Sequence, residues 1–473
     1  MTARSPAHVV LYNPRAVFYT MPLALLAVGS ALERRETQVT VIDARLERDP
    51  LRRVLDATDG ALCLGLTVIT GAPIRDAVEV SRAVKARRPS CPVIWGGWHP
   101  SLFSAECLEE PSIDAVVVGQ GEDTMREIVA RLLSREPLNG CPGTVTRDGG
   151  RLVAGTPRPL RDLNDFPPHD YSLLPVERYF ALKGKRQVDY ISSQGCRFRC
   201  AFCADPAVYS RGWTGLEPRR IAHDVEALQK RYGMRELAFQ DETFFTYPAR
   251  ISALAEELLR RDVSVEWTAT LRADQACRMG EALLAKAVRS GLRRVMVGVE
   301  AGTQTMLDRL KKDLRLEQVI ETAEMCRRHD LGAIFNFIVG FPGEDDGSVR
   351  QTLAFAKRLR AMSPVFETPI FYYRPYPGNP IADEARETGF TMPRGLDAWA
   401  DFDYVGGRGP WVSAARYRQV ERFKFYSHHA WQPGSALRWP LRKAARWRCD
   451  HDWYRFPFEK ALVEFVRPPQ QVS

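Results

Sequence analysis

At 473 residues the chain is too long for one typical domain, and a prior of about 150 residues per domain suggests roughly three. A hydrophobic fraction of 45% beside 26% charged residues excludes a disordered or fibrous polypeptide and leaves a globular protein able to bury real cores. Seven of the ten cysteines are scattered singly, which excludes a disulfide framework, and a net charge of +9 is too modest at this size to argue for nucleic acid.

Residues 1–135 read as one domain. Val9–Tyr12, Val39–Ile42, Ala61–Leu66, Pro92–Trp95 and Ala115–Val118 are apolar, β-branched runs separated by helix-length segments such as Ile74–Arg88. This alternation predicts a doubly wound, Rossmann-like parallel sheet, which binds ligands at the carboxyl ends of its strands. The uncharged stretch Ala16–Leu32 is short for a membrane span and contains Pro22. It reads as a buried first helix of a cytoplasmic protein. The strand-end loops carry the candidate binding residues: Asn13, Thr67, Gly96-Gly97 with His99, and Gly119 and Gly121 with Glu122. Paired glycines let backbone approach a ligand closely, although a tight turn alone also uses them.

Residues 136–187 read as a connector, with a hairpin at Gly143–Ala154 around Asp148-Gly149-Gly150 and then a proline-rich linker. His169-Asp170 in the linker reads as a capping turn rather than a metal or acid–base pair.

From 188 to 385 a second strand–helix series begins. Six strands follow, near Val188–Ser192, Leu237–Phe239, Val265–Ala269, Val295–Val299, Ala333–Val339 and Phe366–Phe371, and they predict a partial (β/α)6 barrel. Directly after the first strand stand Cys196, Cys200 and Cys203, in C-x3-C-x2-C spacing. Three thiolates this close can share one iron–sulfur cluster and leave one iron without a protein ligand. Zinc usually takes four ligands in paired spacings, and no second pair follows. Further candidates end later strands: Asp241-Glu242 after the second, Glu300 between Gly298 and Gly302 after the fourth, and Asn336 and Gly340 at the fifth. One of Asp241 and Thr243 also suits a helix N-cap.

Residues 386–473 interleave aromatics such as Trp399, Tyr404, Trp431, Trp447 and Trp453 with arginines such as Arg416, Arg438 and Arg446. They read as a mostly helical cap partly facing substrate, with a surface for a membrane-derived or anionic substrate as the sharper alternative. Cys449 and His451 are too few for a metal site.

The cysteine loop and the strand ends behind it resemble the radical S-adenosylmethionine (SAM) superfamily. The VIWGGWHPSL and DAVVVGQGEDT stretches resemble the cobalamin-binding domain found upstream of many such barrels, although the D-x-H-x-x-G cobalt-ligand motif is absent. The resemblance spans about residues 8–385. It implies a [4Fe–4S] cluster held by Cys196, Cys200 and Cys203, SAM on its open iron, and Phe202 packed near the adenine. It further implies that Asp241 or Glu242 meets the SAM ammonium, Glu300 the ribose hydroxyls, and the Asn336–Gly340 segment the adenine and sulfonium. Asn13, Thr67, Gly96, Gly97, His99, Gly119, Gly121 and Glu122 would then surround cobalamin, with His99 lining the pocket or holding its loop rather than binding cobalt. The implied activity is reductive cleavage of SAM to a 5′-deoxyadenosyl radical and methylation of an unactivated carbon in a small-molecule or natural-product substrate. The implied electron donor is of the flavodoxin or ferredoxin kind, and peripheral membrane contact stays open. Relatives that oxidise, cyclise or rearrange rings of tetrapyrrole type keep the same cofactors, and a non-catalytic B12 or redox sensor is a third reading.

Overall fold

The computed structural model describes residues 6–33, 36–376, 378–402, 407–431 and 439–466, of which 464–466 are described by backbone alone. Tyr404 and Arg438, placed above in the cap, lie outside the described residues. The chain divides into two compact units, one made of residues 1–197, 204–242 and 391–403, the other of 198–203, 243–390 and 404–473.

In the first unit the five apolar runs become β1 (Ala7–Asn13), β2 (Thr37–Asp43), β3 (Cys63–Thr67), β4 (Val93–Gly96) and β5 (Ala115–Val117). They alternate with α1 (Leu23–Ala31), α2 (Pro50–Ala57), α3 (Pro73–Arg87), the short α4 (Trp98–Leu102) and α5 (Ser104–Cys107), and then α6 (Glu122–Ser134). The five strands are parallel in the order β2-β1-β3-β4-β5, so the topological switch falls between β1 and β3. Val9, Val10, Cys63, Leu64, Val93, Trp95 and Ala115 are fully buried, as strands covered by helices on both faces require. α1 follows Pro22 and buries Leu23, Leu25 and Leu26, which accounts for the uncharged stretch as a core helix of nine residues.

The expected hairpin forms as β6 (Thr144–Asp148) and β7 (Arg151–Ala154), turning on Gly149 and Gly150 with φ of 53° and 82°. It is not free-standing: β6 pairs antiparallel with β5 and extends the sheet to seven strands. After α7 (Val176–Lys183) the barrel opens with β8 (Gln187–Tyr190), then β9 (Ser193–Gly195), α8 (Asp205–Tyr209), β10 (Trp213–Gly215), α9 (Pro218–Tyr232) and β11 (Glu236–Phe239). β8 and β11 are parallel neighbours, and β9 pairs antiparallel with β10. The helix Gly395–Ala400 also belongs to this unit, where Trp399 Nε1 donates to Glu106 Oε2 at 3.0 Å.

The second unit carries the rest of the barrel series. α10 (Pro248–Arg260) and β12 (Glu266–Leu271) lead to α11 (Ala273–Arg289), which breaks at Gly280, and to β13 (Leu292–Glu300). α12 (Gln304–Arg309), α13 (Leu316–Arg328), β14 (Gly332–Val339) and α14 (Asp346–Met362) follow, α14 being capped by Asp345 accepting from Ser348 N–H. β12, β13 and β14 are parallel. The run expected as one sixth strand is two short ones, β15 (Phe366–Glu367) and β16 (Ile370–Tyr372), both parallel to β14. Pro369 interrupts it because it has no N–H for the ladder. Helices Ala414–Trp431 and Trp439–Asp450 pack on each other, and the first also packs on α14, so the C-terminal region is helical as expected. Among the described residues no helix is long and apolar enough to cross a membrane.

Candidate active site

At the carboxyl ends of β1, β3, β4 and β5 the first unit holds a cavity of about 450 Å³. Asn13, Thr67, Gly96, Gly97, Gly119, Gly121 and Glu122 line it together. Its walls are otherwise apolar, with Leu11, Met21, Ile94, Val117 and Met125 among them. Tyr190 at the end of β8, Gln194 on β9, Tyr209 at the end of α8 and Glu242 in the loop after β11 line the same cavity.

The two glycine loops are built differently. Gly97 has φ of 97°, and a Cβ there would stand 2.9 Å from Thr67 Oγ1 and 3.0 Å from Val68 N, so this glycine serves the loop's own closure. Gly119, at φ of 74°, has nothing within 4 Å of where its Cβ would be, and its surface is left to the cavity. Ser101 ties the loops: its Oγ donates to Gly97 O at 2.7 Å and accepts from Gly119 N–H at 3.0 Å. Glu122 sits in the first turn of α6, where burial pushes its carboxyl above the ordinary value.

Of the two roles expected for His99, the structure favours the second, holding the loop. His99 does not line the cavity; it is fully buried, with Nδ1 3.1 Å from Thr70 Oγ1 and its ring against Phe103 and Trp399. Burial pushes the imidazole down to about 3, so it stays neutral and holds the loop. In the linker, Asp170 does cap a turn, accepting from Ser172 N–H, but His169 beside it lines the cavity. Burial, aided by Arg220, pushes that imidazole down to about 4.

Asp241 and Glu242 separate in role. The buried Asp241 accepts from Ser192 N–H at 2.7 Å and Ser192 Oγ at 2.6 Å, and from Ser193 Oγ at 2.5 Å. Its carboxylate therefore pins the turn that leads into the cysteine loop and is not left for a ligand. Glu242 lines the cavity instead, with Oε2 shut off from solvent and unpartnered among the described residues. Burial, with the charges of Asp205 and Asp241, pushes its carboxyl up to about 8.

The cysteine loop leaves β9 at Gly195, whose φ is 82° and where a Cβ would collide with Gly212 O. Cys196, Cys200 and Cys203 are half-buried thiols. Among the described residues no three His, Cys, Asp or Glu side chains stand together as a ready site for a metal ion. The donor set is nonetheless three soft thiolates in one short loop, which fits iron–sulfide far better than a closed zinc site. Two cations missed by the sequence reading stand near the loop's second half. Arg272 Nη1 lies 3.7 Å from Cys200 Sγ, its guanidinium is 3.8 Å from the Phe198 ring centroid, and Nη2 donates to Lys312 O at 2.5 Å. Lys312 Nζ is 2.6 Å from Glu300 Oε1 in a buried pair and 5.8 Å from the Phe202 ring centroid. Arg272 directly follows β12, and that strand-end position was the available signal.

Glu300 ends β13 at φ of 73°, and a Cβ on Gly298 would collide with its Oε1, so Gly298 makes room for this carboxylate. Phe202 packs edge-on against Phe341 at 6.2 Å. Asn336 is half-buried on β14. Gly340 differs from expectation: its N–H donates to Glu344 Oε2 at 2.6 Å, and its carbonyl accepts from Trp411 Nε1 at 2.7 Å. A Cβ would stand 2.7 Å from Val412, so the close approach is made by the chain itself and not by a ligand. Cys449 is buried in the core of the C-terminal helices with Tyr426, Ala430 and Ala445.

Two families match the chain, the B12 binding domain over residues 11–129 and the radical SAM superfamily over residues 190–356. An uncharacterised methyltransferase of Pyrococcus horikoshii is 30% identical over 354 residues, covering 73% of this chain and 75% of the relative. The anaerobic magnesium-protoporphyrin IX monomethyl ester cyclase of Synechocystis is 24% identical over 70% of this chain and 67% of its own length. The radical SAM methyltransferase TsrM from Kitasatospora setae, solved with cobalamin and a [4Fe–4S] cluster bound, shares the fold. Its TM-score is 0.71 at 18% identity, over 91% of this chain and 92% of that one. The radical SAM domain brings the [4Fe–4S] cluster and SAM as cofactors, and the upstream domain brings cobalamin. The chain belongs to the cobalamin-dependent, B12-binding-domain-containing radical SAM enzymes.

Proposed function

We propose that this enzyme methylates an unactivated carbon of a small-molecule substrate. One observation carries the reading: a single cavity is lined both by the strand ends of the cobalamin-type sheet and by Tyr190 and Glu242, which follow the barrel strands β8 and β11. A cobalamin seated on the Asn13, Thr67 and Gly119 loops would share that chamber with the barrel. When bound, the cofactors supply radical generation and methyl donation.

The chain's own residues bind, orient and exclude water. In this reading Cys196, Cys200 and Cys203 hold the cluster. The Arg272 N–H directed at Cys200 Sγ places positive charge beside a cluster thiolate. Asp241 braces the turn before the loop, and Glu242 receives the SAM ammonium, giving up its proton as the cation arrives. In the second unit Glu300, steadied by Lys312, keeps Oε2 for the ribose hydroxyls, while Phe202 and the Asn336 strand end flank the adenine and sulfonium. The partners are the substrate and a reductant such as flavodoxin or ferredoxin, with no nucleic acid, in the cytoplasm.

The test is product mass with methyl-labelled SAM, which gives a labelled, methylated product if the reading holds. A product that loses hydrogen and gains no label would instead support oxidative cyclisation, which the cyclase relative favours. No release of 5′-deoxyadenosine under reducing conditions with any substrate would leave only a sensor.

A further inference from the structure

Residues 439–462 concentrate exposed apolar surface that the cofactor sites do not use. Trp439, Trp447, Trp453, Phe456, Phe458 and Leu462 are all exposed, from 37% for Trp453 to 71% for Phe458. They form one ribbon. Trp439 and Trp447 lie two turns apart on the helix Trp439–Asp450, with Lys443 between them, its Nζ 4.3 Å from the Trp439 ring centroid. Trp447 meets Trp453 edge-on at 5.7 Å, Trp453 leads to Phe456 at 6.4 Å, and Phe456 stacks on Phe458 at 6.3 Å. Leu462 follows one turn later on the helix Phe458–Val466. Contiguous outward aromatics of this kind mark an interaction face, whereas scattered ones do not.

Charge narrows the occupant. Residues 439–462 carry six basic residues against three acidic ones. The acids are already committed: Asp450 to Arg446 at 3.2 Å, Asp452 to Lys357 at 2.6 Å and Glu459 to Arg448 at 2.8 Å. Among the described residues Arg442, Lys443 and Arg455 form no ion pair, so uncompensated positive charge flanks the rings. A second copy of this chain would set these cations against one another across a twofold interface. An anionic bilayer accepts both features, since tryptophan rings settle at headgroup depth and basic side chains meet lipid phosphates.

We propose that this C-terminal ribbon seats the enzyme peripherally on an anionic lipid surface, a property beyond methyl transfer and independent of it. The test uses the full-length, cofactor-loaded protein with phosphatidylcholine vesicles containing or lacking phosphatidylglycerol. Co-sedimentation and quenching of tryptophan emission by brominated lipid are the readouts. Wild type binds the anionic vesicles. Each ring removed in the series Trp447→Ser, Phe456→Ser and Phe458→Ser lowers the partition coefficient about tenfold. Each reversal among Arg442→Glu, Lys443→Glu and Arg455→Glu lowers it about fivefold, and raised salt does the same to wild type. Cluster and cobalamin absorbance stay unchanged in all of these variants. Failure of wild type to bind anionic vesicles would overturn the proposal, as would binding that the ring variants leave intact. A wild-type dimer that the same variants dissociate in sedimentation velocity would assign the ribbon to a second copy instead.

Discussion

Glu242→Gln probes a buried carboxyl that lines the cavity with Oε2 unpartnered among the described residues. In the wild type its carboxyl rises from the ordinary 4.5 to about 8, first through burial and then through the charges of Asp205 and Asp241. The gap is about 3.5 pH units, and at 1.36 kcal/mol per unit it amounts to about 5 kcal/mol as a ceiling. Solvent screening at a cavity wall lowers the expected figure to roughly 2–4 kcal/mol. The folded protein binds this proton more tightly than the unfolded chain does. The stabilising contribution is therefore complete below pH 4.5 and is lost as pH rises towards 8. Gln cannot ionise, so Glu242→Gln gains on wild type by that amount between pH 5 and pH 9. Urea unfolding of both proteins across that range, in the same cofactor-free state, measures it. Parallel stability profiles would refute the reasoning. The same proton gives a functional readout. If Glu242 receives the SAM ammonium, SAM uptake at pH 7 releases a proton, and the binding heat depends on the buffer's ionisation enthalpy in wild type but not in Glu242→Gln.

Asp241→Ala strands three buried donors at about 1–3 kcal/mol each, so urea unfolding should show a loss of at least about 3 kcal/mol, with poorer iron and sulfide retention. Lys312→Met leaves the buried Glu300 carboxylate uncompensated and should cost about 3–5 kcal/mol, most of it regained in the Glu300→Gln/Lys312→Met double variant. Gly97→Ala should destabilise the fold sharply because its Cβ meets Thr67 and Val68. Gly119→Ala should cost only about 1–2 kcal/mol in stability while lowering cobalamin uptake, read by visible absorbance.

The strand–helix alternation and the cysteine spacing were legible because local pattern dictates them: apolar runs bury whatever surrounds them, and ligand spacing is a property of the chain. Seven of the eight residues chosen around the cobalamin loops converge on one cavity for the same reason, since strand ends of a parallel sheet share an edge. His99 could not be placed this way. Its burial depends on Trp399, hundreds of residues downstream, which no local pattern announces. Ser101, His169, Arg272 and Lys312 were hidden similarly, their roles being set by what packing brings beside them. The split of the sixth strand at Pro369 was written in the sequence and was passed over. The division of labour between Asp241 and Glu242 was not written there, because adjacent residues on a strand end point to opposite sides and only the fold says which side holds the serines.

The central claim is that this chain generates a radical from SAM with a three-cysteine cluster. Its most direct test is mass spectrometry of anaerobic, reconstituted protein given SAM, hydroxocobalamin, a strong reductant and candidate substrates, wild type against Cys200→Ala. The account predicts reductant-dependent 5′-deoxyadenosine from wild type and none from Cys200→Ala. Wild type with cluster and cobalamin fully loaded that matches the variant across the substrate panel would contradict it.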